Sequence, residues 1–328
     1  MAATVEIPVV DIRRSRRGDA ASDDEVATWI GSLCQEIGFL VIVGHEVEQS
    51  AIDAVYDASL EFFHLPLDRK MRAASPASGV YRGYTPASAS ALAASYGVDT
   101  PPDLCELYTV NRFDDPDAVR RATVRSGFDG FFAANIWPDD LPGFRAAFEH
   151  YYAQMELLAL DIMGLFARAL RLPKDWFDPY FVDHITNLTV NYYPPQPHEP
   201  LPGQLRRGEH TDWGSLTILY QDGAPGGLEV QTRGGDWVSV PAIAGSYIIN
   251  LGDLMAFWTN GRWVSNMHRV VNPPRAVAGT ERVSIPFFHQ PSFDAVIRPV
   301  PTCVADDVEP PTTTSGDWIL DKLRRTMV

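Results

Sequence analysis

Cysteine is scarce in this chain: three among 328 residues, Cys34, Cys105 and Cys303, widely spaced and odd in number. Such a set builds neither a disulfide framework nor a thiolate metal site, and it fits a reducing cytosol. Basic residues are in deficit too, 27 against 42 acidic ones, for a formal charge of −15. A field of that sign repels phosphate backbones and removes nucleic acid from the expected partners, while leaning weakly toward a cationic ligand. No apolar run approaches the ~20 residues of a membrane span. The N-terminal MAATVEIPVVDIRRSRRGD lacks the apolar core of a secretion signal before its charges. No internal repeat occurs. What remains, 45% hydrophobic and 21% charged, is ordinary for a globular chain able to bury a core. The expectation is a cytoplasmic protein that handles a small molecule. Its oligomeric state is not legible, a monomer being the simplest reading.

Periodicity divides the chain. Val5–Ile12 is apolar and β-branched and reads as a strand. Asp23 or Asp24 can cap a helix in which Val26, Trp29, Ile30, Leu33, Cys34 and Ile37 recur at three- and four-residue steps. Gly38 ends it, Phe39–His45 follows as a buried strand, and a second helix runs from about Ala51 to Phe63. Ala73–Asp103 is rich in Ala, Ser, Gly and Pro and reads as a long surface segment with little regular structure. Leu141–Leu172 carries the longest helical stripe, a packing face closed by Pro173. From about Ile185 to Val300, short β-branched runs alternate with turn residues (NLTVNYY, GSLTILY, GLEVQT, DWVSV, SYIINL, ERVSIPFF), the texture of a sandwich or barrel-like sheet pair. Ser315 can cap a C-terminal helix with Ile319, Leu320, Leu323 and Met327 on its apolar face and Arg324 and Arg325 near its end. No linker separates helical and strand halves. The expectation is one unit over 1–328, with a helix/strand region over 1–120 and a β core over 185–300.

Chemistry concentrates in GEHTDWGSLTILY. His210 and Asp212 stand one residue apart, and in a strand such positions share a face. A second imidazole is available from His268 in NMHRVVNP. Two histidines and one carboxylate on one octahedral face leave three positions open, which is the ligand set of non-haem iron(II) oxygenases. A His-x-Asp pair alone is weak, since His210 can satisfy a loop carbonyl and Asp212 can cap a turn. His45, His64, His150, His184, His198 and His289 have no partner at ligand spacing; of these, His289 is the one to watch.

ERVSIPFFHQ places Arg282 and Ser284 at another i, i+2 pair of an apparent strand. A guanidinium beside a hydroxyl clamps a carboxylate. Upstream, Tyr193 in NYYPP can add a phenol hydrogen bond. Arg-x-Ser by itself usually marks a surface strand; its position after the metal motif gives it weight.

Taken in order, IPVVDI, GFLVIVGHEV, RGYTP, NYYPP, HTDWGSLTIL, GLEV, IINLGD, TNGRWVSNMHRV and ERVSIPFF resemble the isopenicillin N synthase-like branch of the iron(II)/2-oxoglutarate-dependent dioxygenases over nearly the whole chain. Gly44 and Glu46 depart from the branch's asparagine-histidine-glycine-valine turn. The resemblance implies an α+β fold with a mainly β core, a double-stranded β-helix (jelly roll) with flanking helices, including a long central and a C-terminal one. It implies His210, Asp212 and His268 as iron ligands. Arg282, Ser284 and Tyr193 then hold the distal carboxylate of 2-oxoglutarate, and Asn191 stands near metal and cosubstrate. Asn250 and Asp253 of IINLGD read as structural turns. Iron(II), 2-oxoglutarate and dioxygen are the implied cofactor set. The implied reaction is hydroxylation, oxidative ring closure or desaturation of a small substrate of specialised metabolism, such as an antibiotic intermediate, coupled to formation of succinate and carbon dioxide.

Within the branch, isopenicillin N synthase and aminocyclopropane-carboxylate oxidase keep the ligands and the Arg-x-Ser without using 2-oxoglutarate, so stoichiometric succinate separates the two readings. A metal-free binding jelly roll and a zinc hydrolase are further alternatives; the intact ligand set opposes the first, and the lack of a nearby general-base Glu arrangement opposes the second. Residues from Tyr96 to Phe113 (among them Tyr108), Trp213, Phe287, His289 and the C-terminal helix are the candidate substrate contacts.

Overall fold

The computed structural model describes residues 7–16, 20–75, 80–87, 100–113, 129–305 and 309–326. Met327 and the stretch 88–99, both singled out above, lie outside them. The strands are β1 (Val9–Asp11), β2 (Phe39–Val43), β3 (Gly83–Thr85), β4 (Glu106–Asn111), β5 (Asn187–Tyr193), β6 (Arg207–His210), β7 (Leu216–Gln221), β8 (Leu228–Gln231), β9 (Trp237–Ser239), β10 (Tyr247–Leu251), β11 (His268–Val270) and β12 (Arg282–His289). The helices of more than one turn are α1 (Ala20–Glu36), α2 (Gln49–Phe63), α3 (Phe144–Ala169), α4 (Asp253–Trp258) and α5 (Ser315–Thr326).

Eight strands form one sheet in the order β1-β2-β10-β7-β12-β5-β4-β3, and four form a second in the order β6-β11-β8-β9. Side chains alternate across a strand, so each residue of the large sheet faces either the helices or the small sheet. Ile285 and Phe287 of β12 face outward and share a core with Ile52 of α2 and Phe148 of α3. Facing inward, Phe39, Val41 and Ile248 join Leu228, Val230 and Val270 of the small sheet in a second core. The two sheets thus enclose an interior, the jelly roll that the resemblance implies, with helices packed on its back.

Three local expectations are corrected. Asp23 does not cap α1, which begins earlier, at Ala20; its carboxylate instead accepts from Ser15 Oγ and pairs with Arg168 (3.6 Å) and Lys174 (3.8 Å). The segment Ala73–Asp103 is not all surface. Gly83–Thr85 adds an edge strand to the large sheet, and its Tyr84 and the preceding Arg82 are fully buried. Arg82 organises the chain over the mouth of the sheet pair, donating to the carbonyls of Ala133 (3.0 Å) and Phe131 and to Asn187 Oδ1 (2.8 Å). At α5 the cap is Thr314, whose hydroxyl accepts the Asp317 N–H at 3.0 Å, leaving the Ser315 hydroxyl to accept from Gln290 Nε2 at 2.9 Å.

Candidate metal and cosubstrate site

β6 and β11 pair antiparallel with His268 opposite His210, which sets the ring centroids 4.2 Å apart. Each imidazole donates Nδ1–H to a carbonyl two residues upstream, His210 to Gly208 at 2.7 Å and His268 to Asn266 at 3.1 Å. A carbonyl only accepts, so these bonds put a proton on each Nδ1 and turn each Nε2 toward Asp212. The two Nε2 atoms stand 3.9 and 3.7 Å from Asp212 Oδ1. These three side chains are the only cluster of metal-ligand type among the described residues.

Asp212 reaches this point by a route that strand alternation does not describe. β6 ends at His210, and Asp212 lies beyond it in the turn that packs on the start of α4. There its carbonyl accepts the Asp253 N–H at 2.8 Å, and the Gly214 carbonyl accepts that of Leu254 at 3.1 Å. Gly252 makes the approach possible: a Cβ there would sit 2.2 Å from the Gly214 carbonyl oxygen. The far carboxylate oxygen, Oδ2, accepts from Thr217 Oγ1 (2.5 Å) and Asn250 Nδ2 (2.6 Å). With Oδ2 occupied, the carboxylate offers a single oxygen to the histidines.

Charge fits this geometry. Burial, reinforced by the neighbouring His268, pushes His210 down to about 3, so the ring is a neutral ligand at ordinary pH. Burial pushes the Asp212 carboxyl up, but the two imidazoles and the bonds from Thr217 and Asn250 outweigh it and hold it below its usual value. Nitrogen and oxygen donors about 2.1 Å from an octahedral ion stand about 3 Å apart. Each donor therefore needs to draw in by less than an ångström, and the set fits a divalent transition metal. Asn250→Ala is expected to weaken iron(II) binding about tenfold, as loss of a partner that orients a ligand does; anaerobic equilibrium dialysis measures it.

The second constellation lies along the same interior. β12 pairs with β5 so that Arg282 faces Tyr193 and Ser284 faces Asn191, and with β7 so that Ser284 also faces Gln221. All are inward-facing and buried or nearly so. Arg282 is 1% exposed and forms no ion pair among the described residues. Its Nη2 donates to Gln221 Oε1 at 2.9 Å, its guanidinium carbon lies 5.0 Å from the Tyr193 ring centre, and its Nη1 is buried without a hydrogen-bond partner. A desolvated guanidinium with an orphan donor asks for an anion. Beside it, burial pushes the Tyr193 phenol up to about 12, so its hydroxyl stays protonated. Asn191 Nδ2 lies 3.4 Å from Ser284 Oγ. From this clamp to Thr217, which holds Asp212, is four residues of β7, about 13 Å at ~3.3 Å per residue. That span suits a short dicarboxylate reaching toward the ligand set with side chains meeting it at both ends.

Four residues named as substrate contacts separate. Trp213 directly follows Asp212 and packs in a cluster with Phe131, Phe132, Phe293 and Ile319. Phe287 and His289 stand at odd offsets from Ser284 and face the other side of the sheet. Phe287 meets Tyr152 of α3 (5.1 Å between ring centres), and His289 stacks on Phe181 (4.1 Å). Tyr108 also faces the helices, against Phe62 and Phe144. These three are packing residues. Asn250, read as a turn residue, is a strand residue that grips Asp212. Thr217 and Gln221 were not anticipated, although both are inward positions of the run that follows the His-x-Asp pair. No helix among the described residues is long and apolar enough to cross a membrane.

Comparison with known proteins agrees with this geometry. Residues 185–291 match the 2OG-Fe(II) oxygenase superfamily, and residues 7–140 match the N-terminal region of the non-haem dioxygenases in morphine synthesis. A 2-oxoglutarate-Fe(II) type oxidoreductase, hxnY, of Emericella nidulans is 32% identical over 322 residues, covering 95% of this chain and 88% of the relative. Validamycin A dioxygenase of Streptomyces hygroscopicus subsp. limoneus is 30% identical over 327 residues, covering 97% and 86%. The crystal structure of a full-length Neurospora crassa protein in complex with alpha-KG and thymine superposes with a TM-score of 0.84 at 27% identity, covering 99% of this chain and 98% of that one. The chain belongs to the 2-oxoglutarate-Fe(II) oxygenase superfamily and is a 2-oxoglutarate-dependent dioxygenase that uses iron(II), 2-oxoglutarate and dioxygen.

Proposed function

We propose that His210, Asp212 and His268 hold iron(II) while Arg282, Ser284, Tyr193 and Asn191 hold 2-oxoglutarate, and that the enzyme oxidises a small molecule of specialised metabolism by hydroxylation, ring closure or desaturation. The observation that carries this reading is the pairing of two half-sites in one interior: a buried His/His/Asp cluster offering one carboxylate oxygen, and a buried guanidinium with an unused donor. Bound iron and 2-oxoglutarate supply the activation of dioxygen, with the keto acid decarboxylated to succinate and carbon dioxide. The protein's own residues position and shield. Thr217 and Asn250 keep Asp212 offering a single oxygen, so a metal held here would take three donors from the protein. Arg282 and Gln221 fix the distal end of the diacid, which sets the direction of its keto end. Trp213 and the aromatic cluster around it wall the space beside Asp212, where a substrate carbon can be kept from water.

Relatives named for validamycin A and for proline hydroxylation in fungi support a specialised-metabolite substrate. The acidic charge and the three free cysteines support a cytoplasmic enzyme without a nucleic-acid partner. The core shared by α2, α3 and β12 supports the whole chain working as one unit. The test is anaerobic addition of iron(II) and then 2-oxoglutarate, followed by aeration. A visible metal-to-cosubstrate absorption band and oxygen-dependent succinate are expected; oxygen uptake without succinate would instead favour an oxidase that draws its electrons from the substrate alone.

A further inference from the structure

The turn that carries Asp212 is gripped from a second side, by the C-terminal helix. The indole Nε1–H of Trp318 in α5 donates to the carbonyl of Trp213 at 3.0 Å. One helical turn on, the Lys322 ammonium pairs with the Asp253 carboxylate. The same carboxylate oxygen accepts the Thr211 hydroxyl at 3.0 Å, and the Asp253 N–H donates to the Asp212 carbonyl at 2.8 Å. The two ties therefore fall on the residues either side of Asp212. Both are sheltered: the Lys322 and Asp253 side chains are 22% and 16% exposed.

The helix is a stable anchor. Ile319, Leu320 and Leu323 pack in the cluster that contains Trp213. Gly316 lies so close to Phe293 that a Cβ would sit 2.5 Å from the ring, and its N–H donates to the Phe293 carbonyl at 2.7 Å.

We propose that Lys322 and Trp318 are positioning residues for the metal centre: α5 docks as a brace that fixes the backbone from Thr211 to Trp213 and thereby aims the Asp212 carboxylate. The inference rests on the iron site proposed above. Asp212 is steered at two points, its far oxygen by Thr217 and Asn250 and its backbone through Asp253. The second point holds only while Asp253 keeps a counter-charge, because its carboxylate is largely buried, with Lys322 as its partner of opposite charge. Lys322 supplies that charge. Without it, Asp253 is a largely buried anion with no compensating charge, and its lowest-energy course is to turn toward water and release Thr211. Because the same helix packs against Trp213, its docking and the direction of the Asp212 carboxylate are one equilibrium.

Lys322→Met, Lys322→Arg and Trp318→Phe are compared with the wild type as full-length chains. Thermal unfolding without metal checks folding, and anaerobic titration with iron(II) and then 2-oxoglutarate reads affinity and the visible band. Lys322→Met is expected to bind iron(II) about tenfold more weakly, the range seen when a partner behind a ligand is lost, with a displaced band and more succinate per substrate oxidised. Lys322→Arg keeps charge and donors and is expected to restore both within about twofold. Trp318→Phe keeps an aromatic side chain but loses the N–H and part of the indole's volume, and is expected to show the same displacement in smaller measure. Folded variants whose affinity and band equal the wild type's overturn the brace while leaving the iron site standing. A loss in Lys322→Met that Lys322→Arg fails to restore also overturns it. A wild-type chain without the band removes the iron site itself.

Discussion

Asp212→Ala is expected to lower oxygen-dependent succinate formation by about 1,000-fold or more, through loss of the metal. Even an outer partner of a ligand accounts for about 10- to 100-fold in metal affinity, and Asp212 is the sole anion of the set. Its removal leaves two imidazoles with no carboxylate to complete the site. It also strands the Thr217 hydroxyl and the Asn250 amide, buried donors that now point at an alanine methyl; an unmet buried donor costs about 1–3 kcal/mol. Metal content after anaerobic dialysis, measured with succinate release, checks both parts. A variant that retains iron and turns over at a wild-type rate contradicts the assignment of Asp212 as a ligand.

The second large effect falls on the cosubstrate and spares the metal. Arg282→Gln removes a guanidinium that is 1% exposed and carries an unused donor. Two charge-assisted hydrogen bonds to a carboxylate are together worth about 3–4 kcal/mol, so the 2-oxoglutarate KM is expected to rise about 100- to 1,000-fold at 1.4 kcal/mol per tenfold. Iron(II) affinity in the absence of 2-oxoglutarate is expected to stay within about threefold, since the clamp lies four residues of β7 away from the metal end. Arg282→Lys is not expected to rescue: a point charge cannot serve Gln221 Oε1 and a carboxylate in the fork geometry that Arg282 uses. A variant whose 2-oxoglutarate KM stays within threefold of wild type would place the distal carboxylate elsewhere.

The two predictions draw on parts of the site that were unequally legible. The clamp could be read locally. Arg282 and Ser284 are two apart in one strand, and that strand exists as expected. The same alternation, applied further, turns Phe287 and His289 away from the clamp, so their place among the packing residues was available from spacing alone. Asp212 is the opposite case. Its residue type and its distance from His210 pointed to the carboxylate that lies beside the two imidazoles, but the strand argument for its direction does not hold, because β6 ends at His210. What aims it are Asn250, 38 positions later, and the start of α4, contacts that no local period encodes. Likewise Tyr84 and Arg82 sat in a stretch poor in periodic signal; they are buried because β3 finds the edge of a sheet assembled mostly from residues downstream.

The residue types at the site, the order of the motifs and the inward or outward sense of each strand position are properties of the sequence by itself, because alternation and helical stripes repeat over two to four residues and need no partner. Which strand lies beside which, and therefore that Arg282 meets Tyr193, Asp212 meets Asn250 and Lys322 meets Asp253, was decided only by the tertiary structure. Those pairs are 89, 38 and 69 residues apart. Contacts at such separations depend on register between elements, which is set by the packing of two cores on opposite faces of one sheet.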